Sequence, residues 1–180
     1  MMRDKAARIS LTIEAVDTPI GGLLLVCDGD GVLRAADFDD CEERLYRLLG
    51  RRLGLSSFEL LPGMIPDPVK TEVAAYFAGD LAATGRITLK TDGTAFQDRV
   101  WNALREMAPG QPVTYAELAN DLGRSGATRA VGHANAANPF CVVVPCHRLV
   151  GAGGALTGYS GGLERKRWLL AHEAWHNALT

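Results

Sequence analysis

Two helix-start signals fix the architecture of the second half of this chain. Thr94-Ala95-Phe96-Gln97 and Thr114-Tyr115-Ala116-Glu117 are both capping boxes, in which a threonine side chain and a Gln or Glu three residues on satisfy each other's backbone donors. Behind the first box, Phe96, Val100, Leu104 and Met107 form one apolar stripe, closed by Pro109-Gly110. The second opens a short helix through Leu118 to Leu122. A glycine turn, Gly123-Arg124-Ser125-Gly126, separates it from a third helix over 127–136. Short helix, turn and small-residue helix predict a helix-turn-helix. Cys141 to Val144 reads as a strand. Gly151 to Gly154 reads as a turn, with 156–159 returning as the second arm of a small wing. A last helix carries Leu163, Leu169, Leu170 and Glu173.

The pattern before residue 90 is different. Ile9 to Val16 alternates apolar and polar positions, and two apolar runs flank the turn Asp28-Gly29-Asp30-Gly31. Helical spacing appears at Leu45, Leu48, Leu49 and Leu53, and again at Val69, Val73, Tyr76 and Phe77. Ile87 and Leu89 suggest one more strand. The change of period places a boundary at Lys90-Thr91-Asp92-Gly93. An α/β domain over 1–90 therefore precedes a mainly helical domain over 91–180.

No apolar run approaches the roughly 20 residues that a membrane span needs. The segment Met1-Met2-Arg3-Asp4-Lys5 is charged and lacks the apolar core of a secretory signal, so a cytoplasmic protein is expected. The four cysteines have no Cys-x-x-Cys spacing and read as free thiols. The net charge of −2 is not that of a typical nucleic-acid binder, but its distribution is uneven. No Asp or Glu occurs between Leu122 and Leu163, a stretch that holds Arg124, Arg129, His133, His147 and Arg148, with Arg165, Lys166 and Arg167 just beyond. Such a segment either lies against phosphates or is a buried stretch of small residues.

Chemistry concentrates at Val144-Pro145-Cys146-His147-Arg148. A thiol is a strong nucleophile as thiolate, and neighbouring basic groups favour that form. Cys146 is the candidate nucleophile, whereas Cys27, Cys41 and Cys141 have no such neighbours. His147 is the candidate base. Adjacent residues on a strand point to opposite faces, so either the chain turns at Pro145 or a water bridges the pair. A surface histidine is the alternative. A third group should orient the imidazole, and Glu173 on the last helix is offered for that role against a plain exposed glutamate. Asn138-Pro139 stops the third helix, and Asn138 either bonds the turn that follows or is an ordinary turn residue. Arg129 is the cation of an alanine- and glycine-rich helix. It either enters a base stack or lies solvated on a helix packed inside the fold.

Taken together, these residues resemble the O6-alkylguanine-DNA alkyltransferases. The motif around Cys146 is similar to that family's active site. Gly93 to Trp101 resembles its entry into the C-terminal domain, Arg129-Ala130-Val131-Gly132 its recognition helix, Asn138-Pro139 its hinge, and Leu156 to Gly162 its active-site loop. Residues 93–173 are covered almost without gaps, and the first half matches more loosely through Thr18-Pro19-Ile20-Gly21.

The resemblance implies a ribonuclease-H-like N-terminal domain and a winged helix-turn-helix in the C-terminal one. It implies that Cys146 takes an alkyl group from O6-methylguanine once per molecule. His147 would draw the thiol proton through a water, with Glu173 orienting it and Asn138 bracing the hinge. Tyr115, Tyr159 and Ser160 would hold the flipped base. Arg129 would fill the gap in the stack, with Thr128, Ala130 and Gly132 beside it on the DNA. The expected partner is double-stranded DNA bearing O6-alkylguanine, met by a monomer, with no membrane role and no cofactor. Some relatives bind zinc with Cys and His in the N-terminal half. Residues 1–90 hold only Cys27 and Cys41 and no His, so no metal site is expected. Two rival readings of the residues are a cysteine hydrolase and a non-catalytic DNA-binding regulator.

Overall fold

The computed structural model describes residues 8–179, so the charged segment Met1 to Lys5 lies outside the described residues. The first half builds a four-stranded sheet from β1 (Ile9–Thr18), β2 (Gly21–Asp28), β3 (Leu33–Phe38) and β4 (Phe58–Pro62), in the order β3-β2-β1-β4. The β1/β2 and β2/β3 pairs are antiparallel and β1/β4 is parallel. Two helices, α1 (Glu42–Leu53) and α2 (Asp67–Phe77), accompany it. Both faces of β2 are covered, which is why Leu23 to Val26 reads as an unbroken apolar run. Leu24 and Val26 pack with Leu45 and Leu49 of α1, whereas Leu23, Leu25 and Cys27 face the larger core.

The second half is mainly helical: α3 (Ala95–Glu106), α4 (Tyr115–Asp121), α5 (Thr128–Ala136) and α6 (Leu163–Asn177). Both capping boxes form. Thr94 Oγ1 accepts from the Gln97 amide and Gln97 accepts from the Thr94 amide. Thr114 and Glu117 repeat the exchange at 3.1 and 2.7 Å. The larger core draws on both halves, joining Leu23, Phe38 and Tyr76 to Trp101, Val131, Phe140 and Leu169.

Three expectations need correction, and one strand was not expected. Ile87 and Leu89 form no strand; Leu89 makes a single bridge to Leu33 before Asp92, at φ 47°, turns the chain away. β4 was not expected, because its run is short and ends in Pro62, which only an edge strand tolerates.

Cys141 to Val144 is buried as predicted, but it is two tight turns rather than a strand. The Val143 amide donates to Cys141 O at 2.9 Å around Val142, whose φ is 71°. The Cys146 amide donates to Val144 O at 2.7 Å around Pro145. These are γ-turns of opposite hand, and a β-branched residue at positive φ is strained.

Finally, 156–159 carries no strand to serve as a second wing arm. β6 (Leu149–Val150) instead pairs in parallel with β5 (Val113–Thr114).

The second capping box is the junction between β5 and α4. Thr114→Ala should cost about 1 kcal/mol, lowering the urea midpoint without changing the slope of the transition. Thr114→Ser should recover most of the loss.

Candidate active site

Every residue from Asn138 to Val150 is buried. The γ-turn at Pro145 ends in a short 3₁₀ turn, Cys146–Arg148, and that turn aims its three side chains differently. Cys146 is turned to a cleft of about 300 Å³ lined by Tyr115, Gly132, Asn135, Ala136, Gly158, Tyr159 and Ser160. His147 and Arg148 both point inward to one carboxylate on α6.

That carboxylate is Glu173, fully buried. Its oxygens accept from His147 Nε2 at 2.8 Å, from Arg148 Nε and Nη2 at 2.9–3.2 Å, from the Tyr76 hydroxyl at 2.8 Å and from the Gly110 amide at 2.9 Å. Burial pushes its pKa up, but His147 and Arg148 hold it well below the usual carboxylate range. A carboxylate only accepts, so Nε2 of His147 carries the proton. Burial also lowers the imidazole's own pKa, despite the glutamate. The ring is therefore neutral near pH 7, with Nδ1 as acceptor. Nδ1 is buried and has no partner among the described residues, Cys146 included. Adjacency in sequence thus does not become direct contact.

Hydrogen bonding from the Cys141 thiol holds the Cys146 thiol below its ordinary pKa, against burial, with Asn138, Arg44 and Lys166 acting the same way. Asn138 is fully buried and braces the motif from behind. Its Nδ2 donates to Val144 O at 2.9 Å, and its Oδ1 accepts from the Phe140 amide at 3.0 Å.

Tyr115 is half-buried, its hydroxyl 3.5 Å from Asn135 Nδ2, and burial raises its pKa. The Tyr159 hydroxyl is buried without a protein partner among the described residues, and its ring meets His147 edge to face at 6.4 Å. Thr128, Arg129 and Ala130 lie exposed on α5, outside the cleft, and Gly132 lies at its edge.

The basic cluster after the motif is not a phosphate surface. Lys166 is fully buried, its ammonium donating to the carbonyls of Leu149, Thr157 and Gly158 at 2.5, 2.8 and 3.4 Å. Arg165 lies over the Phe38 ring at 4.1 Å and pairs with Asp40 at 2.8 Å. Arg148 serves Glu173. The sequence reading missed Lys166, although its place was visible: Lys166, Leu169 and Glu173 share one face of α6, the face the core claims. It also missed Tyr76 and Asn135, whose roles depend on the tertiary fold.

A family model described as the 6-O-methylguanine DNA methyltransferase DNA-binding domain matches residues 95–175. A methylated-DNA–protein-cysteine methyltransferase of Salmonella typhimurium is 44% identical over 167 residues, 93% of this chain and 98% of the relative. This chain belongs to the methylated-DNA–protein-cysteine methyltransferase family. A relative of that name from Mycobacterium leprae is 41% identical over 92% of this chain and 93% of its own length. Among solved structures, the Mycobacterium tuberculosis OGT crystallised in complex with DNA matches with a TM-score of 0.76 and 36% identity, over 93% of this chain and 94% of that one. An O6-methylguanine-DNA methyltransferase from Pyrococcus kodakaraensis gives 0.69 and 29%, over 91% and 98%. The methyltransferase family thus covers both halves of the chain.

Removing Glu173 leaves Arg148 as an unpaired buried charge. Glu173→Ala should cost about 3–5 kcal/mol in urea unfolding. The pH dependence follows from two depressed pKa values. Above the ordinary imidazole value, about 6.5, His147 contributes its full share of stability. As pH falls below that, the unfolded chain takes up a proton that the folded one refuses. Glu173 adds a second loss further down, below about 4.3. The thermal midpoint should therefore drop between pH 7.5 and 5, and His147→Gln should flatten that drop.

Proposed function

We propose that this chain repairs O6-alkylguanine in double-stranded DNA by moving the alkyl group, once and irreversibly, to Cys146. The observation that carries the reading is the position of the thiol: Cys146 lines a cleft rimmed by α5, the helix that presents Thr128, Arg129 and Ala130 outward. A guanine inside a duplex is out of reach of any buried thiol, so the lesion has to leave the stack. The small side chains of α5 allow close approach to a groove, and Arg129 then takes the place of the extruded base. We read α4 and α5 as the helix-turn-helix, with the 151–159 loop as a reduced wing, and the sheet half as ribonuclease-H-like. On this reading residues 91–180 carry the transfer chemistry and residues 1–90 support it. The four free thiols suit a reducing compartment, and we place the activity in the cytoplasm.

The step balances without a cofactor. The thiol proton passes to Nδ1 of His147 through a water, and Glu173 stabilises the imidazolium that forms. The thiolate attacks the alkyl carbon, the carbon–oxygen bond breaks, and its electron pair stays on guanine. Tyr115 offers a proton or hydrogen bond to the guanine ring nitrogen, Ser160 supports the oxygen, and Tyr159 walls the cleft. Donors placed where charge develops lower the barrier. A thioether has no hydrolytic exit, so the thiol is not regenerated.

Incubation with a duplex containing O6-methylguanine should place one methyl group on the Cys146 peptide by mass spectrometry, one equivalent per protein. An unmodified Cys146 with the lesion intact would sink the proposal. Arg129→Ala should slow transfer from duplex far more than transfer from the free base; equal slowing would remove its role in extrusion.

A further inference from the structure

The N-terminal half touches the acceptor through a polar chain that begins on α1. Arg44 sits there with its guanidinium directed at the hinge. Its Nη1 pairs with Asp37 of β3, and the side chains are only 13% and 1% exposed. The same nitrogen donates to Cys141 Sγ at 3.7 Å, and Nη2 donates to Asn138 O at 2.8 Å. The backbone makes the contact rigid. The Ala36 amide donates to Pro139 O and the Cys141 amide to Ala36 O, both at 2.8 Å, so β3 grips the hinge as a one-residue parallel bridge. The two γ-turns then fold the chain back, bringing the Cys141 thiol against that of Cys146.

We propose that Arg44, on the N-terminal half, and Cys141, just after the hinge, are positioning residues that set the ionisation of Cys146. The proposal rests on Cys146 being the acceptor. A thiol has one hydrogen and is a weak donor and a weak acceptor. Asp37 is already satisfied by Arg44 and by the Phe38 amide. The Cys141 hydrogen has two acceptors in reach, the Asp37 carboxylate and the Cys146 sulfur; Arg44 neutralises the first, and its hydrogen on Cys141 Sγ strengthens donation to the second. Cys141 stays protonated, since its hydrogen bond to the Cys146 sulfur, and then burial, push its pKa well up.

The other charged and titratable groups facing Cys146 are Lys166 on α6, Tyr115 on α4, and His147 and Tyr159 on the adjoining turn and loop. Lys166 is committed to three carbonyls. Arg44 is thus the cation whose route to the thiol runs through another side chain.

The test is the pH profile of Cys146 alkylation by iodoacetamide in the full-length protein, read on its own peptide by mass spectrometry, beside the profile of methyl transfer from O6-methylguanine duplex. Arg44→Gln should move the midpoint up by about one pH unit, a tenfold slower reaction at pH 7, with the rate recovering at high pH. Arg44→Lys should keep the midpoint near that of the wild type. Cys141→Ala, which leaves the Arg44–Asp37 pair intact, should move it the same way as Arg44→Gln, and Cys141→Ser should restore it. Should Arg44→Gln fail to fold, Cys141→Ala against Cys141→Ser decides alone. Rates lowered equally at every pH, or midpoints that do not move, overturn the proposal. Iodoacetamide needs no DNA, so a failed methyl transfer in the wild type would refute the repair reading while leaving this test standing.

Discussion

A buried carboxylate that accepts from four different residues is a fixed point, because none of its partners can leave without stranding a charge or a donor. Glu173 ties α6 to α2 through Tyr76, to the loop between α3 and β5 through the Gly110 amide, and to the motif through His147 and Arg148. The cost of desolvating the carboxylate and the guanidinium is offset only while that geometry holds. The same bonds decide the chemistry. They choose the proton-bearing nitrogen of His147 and leave the other as acceptor. On the proposed mechanism stability and reactivity rest on one set of contacts, and Arg148, which follows the thiol closely in sequence, bonds the glutamate rather than the sulfur.

A second constraint comes from the turns before Cys146. Two γ-turns within six residues reverse the chain so tightly that Val142 is held at positive φ. Strain of this kind persists only when the surroundings over-determine it. Here they are Asn138, bonded at both ends of the turn, the bridge from β3, and the full burial of Val142, Val143 and Val144. The sheet half is thus part of the active-site scaffold. It also reaches the loop on the far side of the cleft, where Arg165 pairs with Asp40 and the Cys41 thiol donates to Ser160 O at 3.6 Å.

Local signals were legible in the sequence wherever one residue's neighbours determine its role. The capping boxes placed α3 and α4, the period-two pattern placed β1, and the apolar spacing placed α1 and α2. Motif residues were legible for the same reason, and Cys146, Tyr115, Tyr159, Ser160 and Gly132 meet at one cleft. What was illegible depended on distant segments. A run of three valines has strand propensity, and only the hinge contacts turn it into tight turns. Arg165, Lys166 and Arg167 look alike as a basic cluster. The fold separates them: Arg165 ties to the sheet half, Lys166 clamps the loop from inside, and Arg167 is an exposed partner of Glu164. Arg44 carried no signal, since its partners lie on β3 and the hinge.

Two glycines show how the fold and its outside partner make different demands. A Cβ on Gly161 would lie 2.7 Å from the Phe38 ring and 2.8 Å from Tyr159, so the interior requires its smallness. Gly132 is the opposite case. It lies in the middle of α5 with helical backbone, and a Cβ there would meet nothing within 4 Å. Glycine inside a helix costs roughly 0.5–1 kcal/mol relative to alanine, and no contact within the described residues returns that cost. A residue the fold does not need, placed at the rim of the cleft beside Thr128, Arg129 and Ala130, makes sense when the helix backbone must come close to something outside the chain. On an acid-free face that ends at a buried thiol, the groove of a duplex meets that description, and a small soluble ester would not require it.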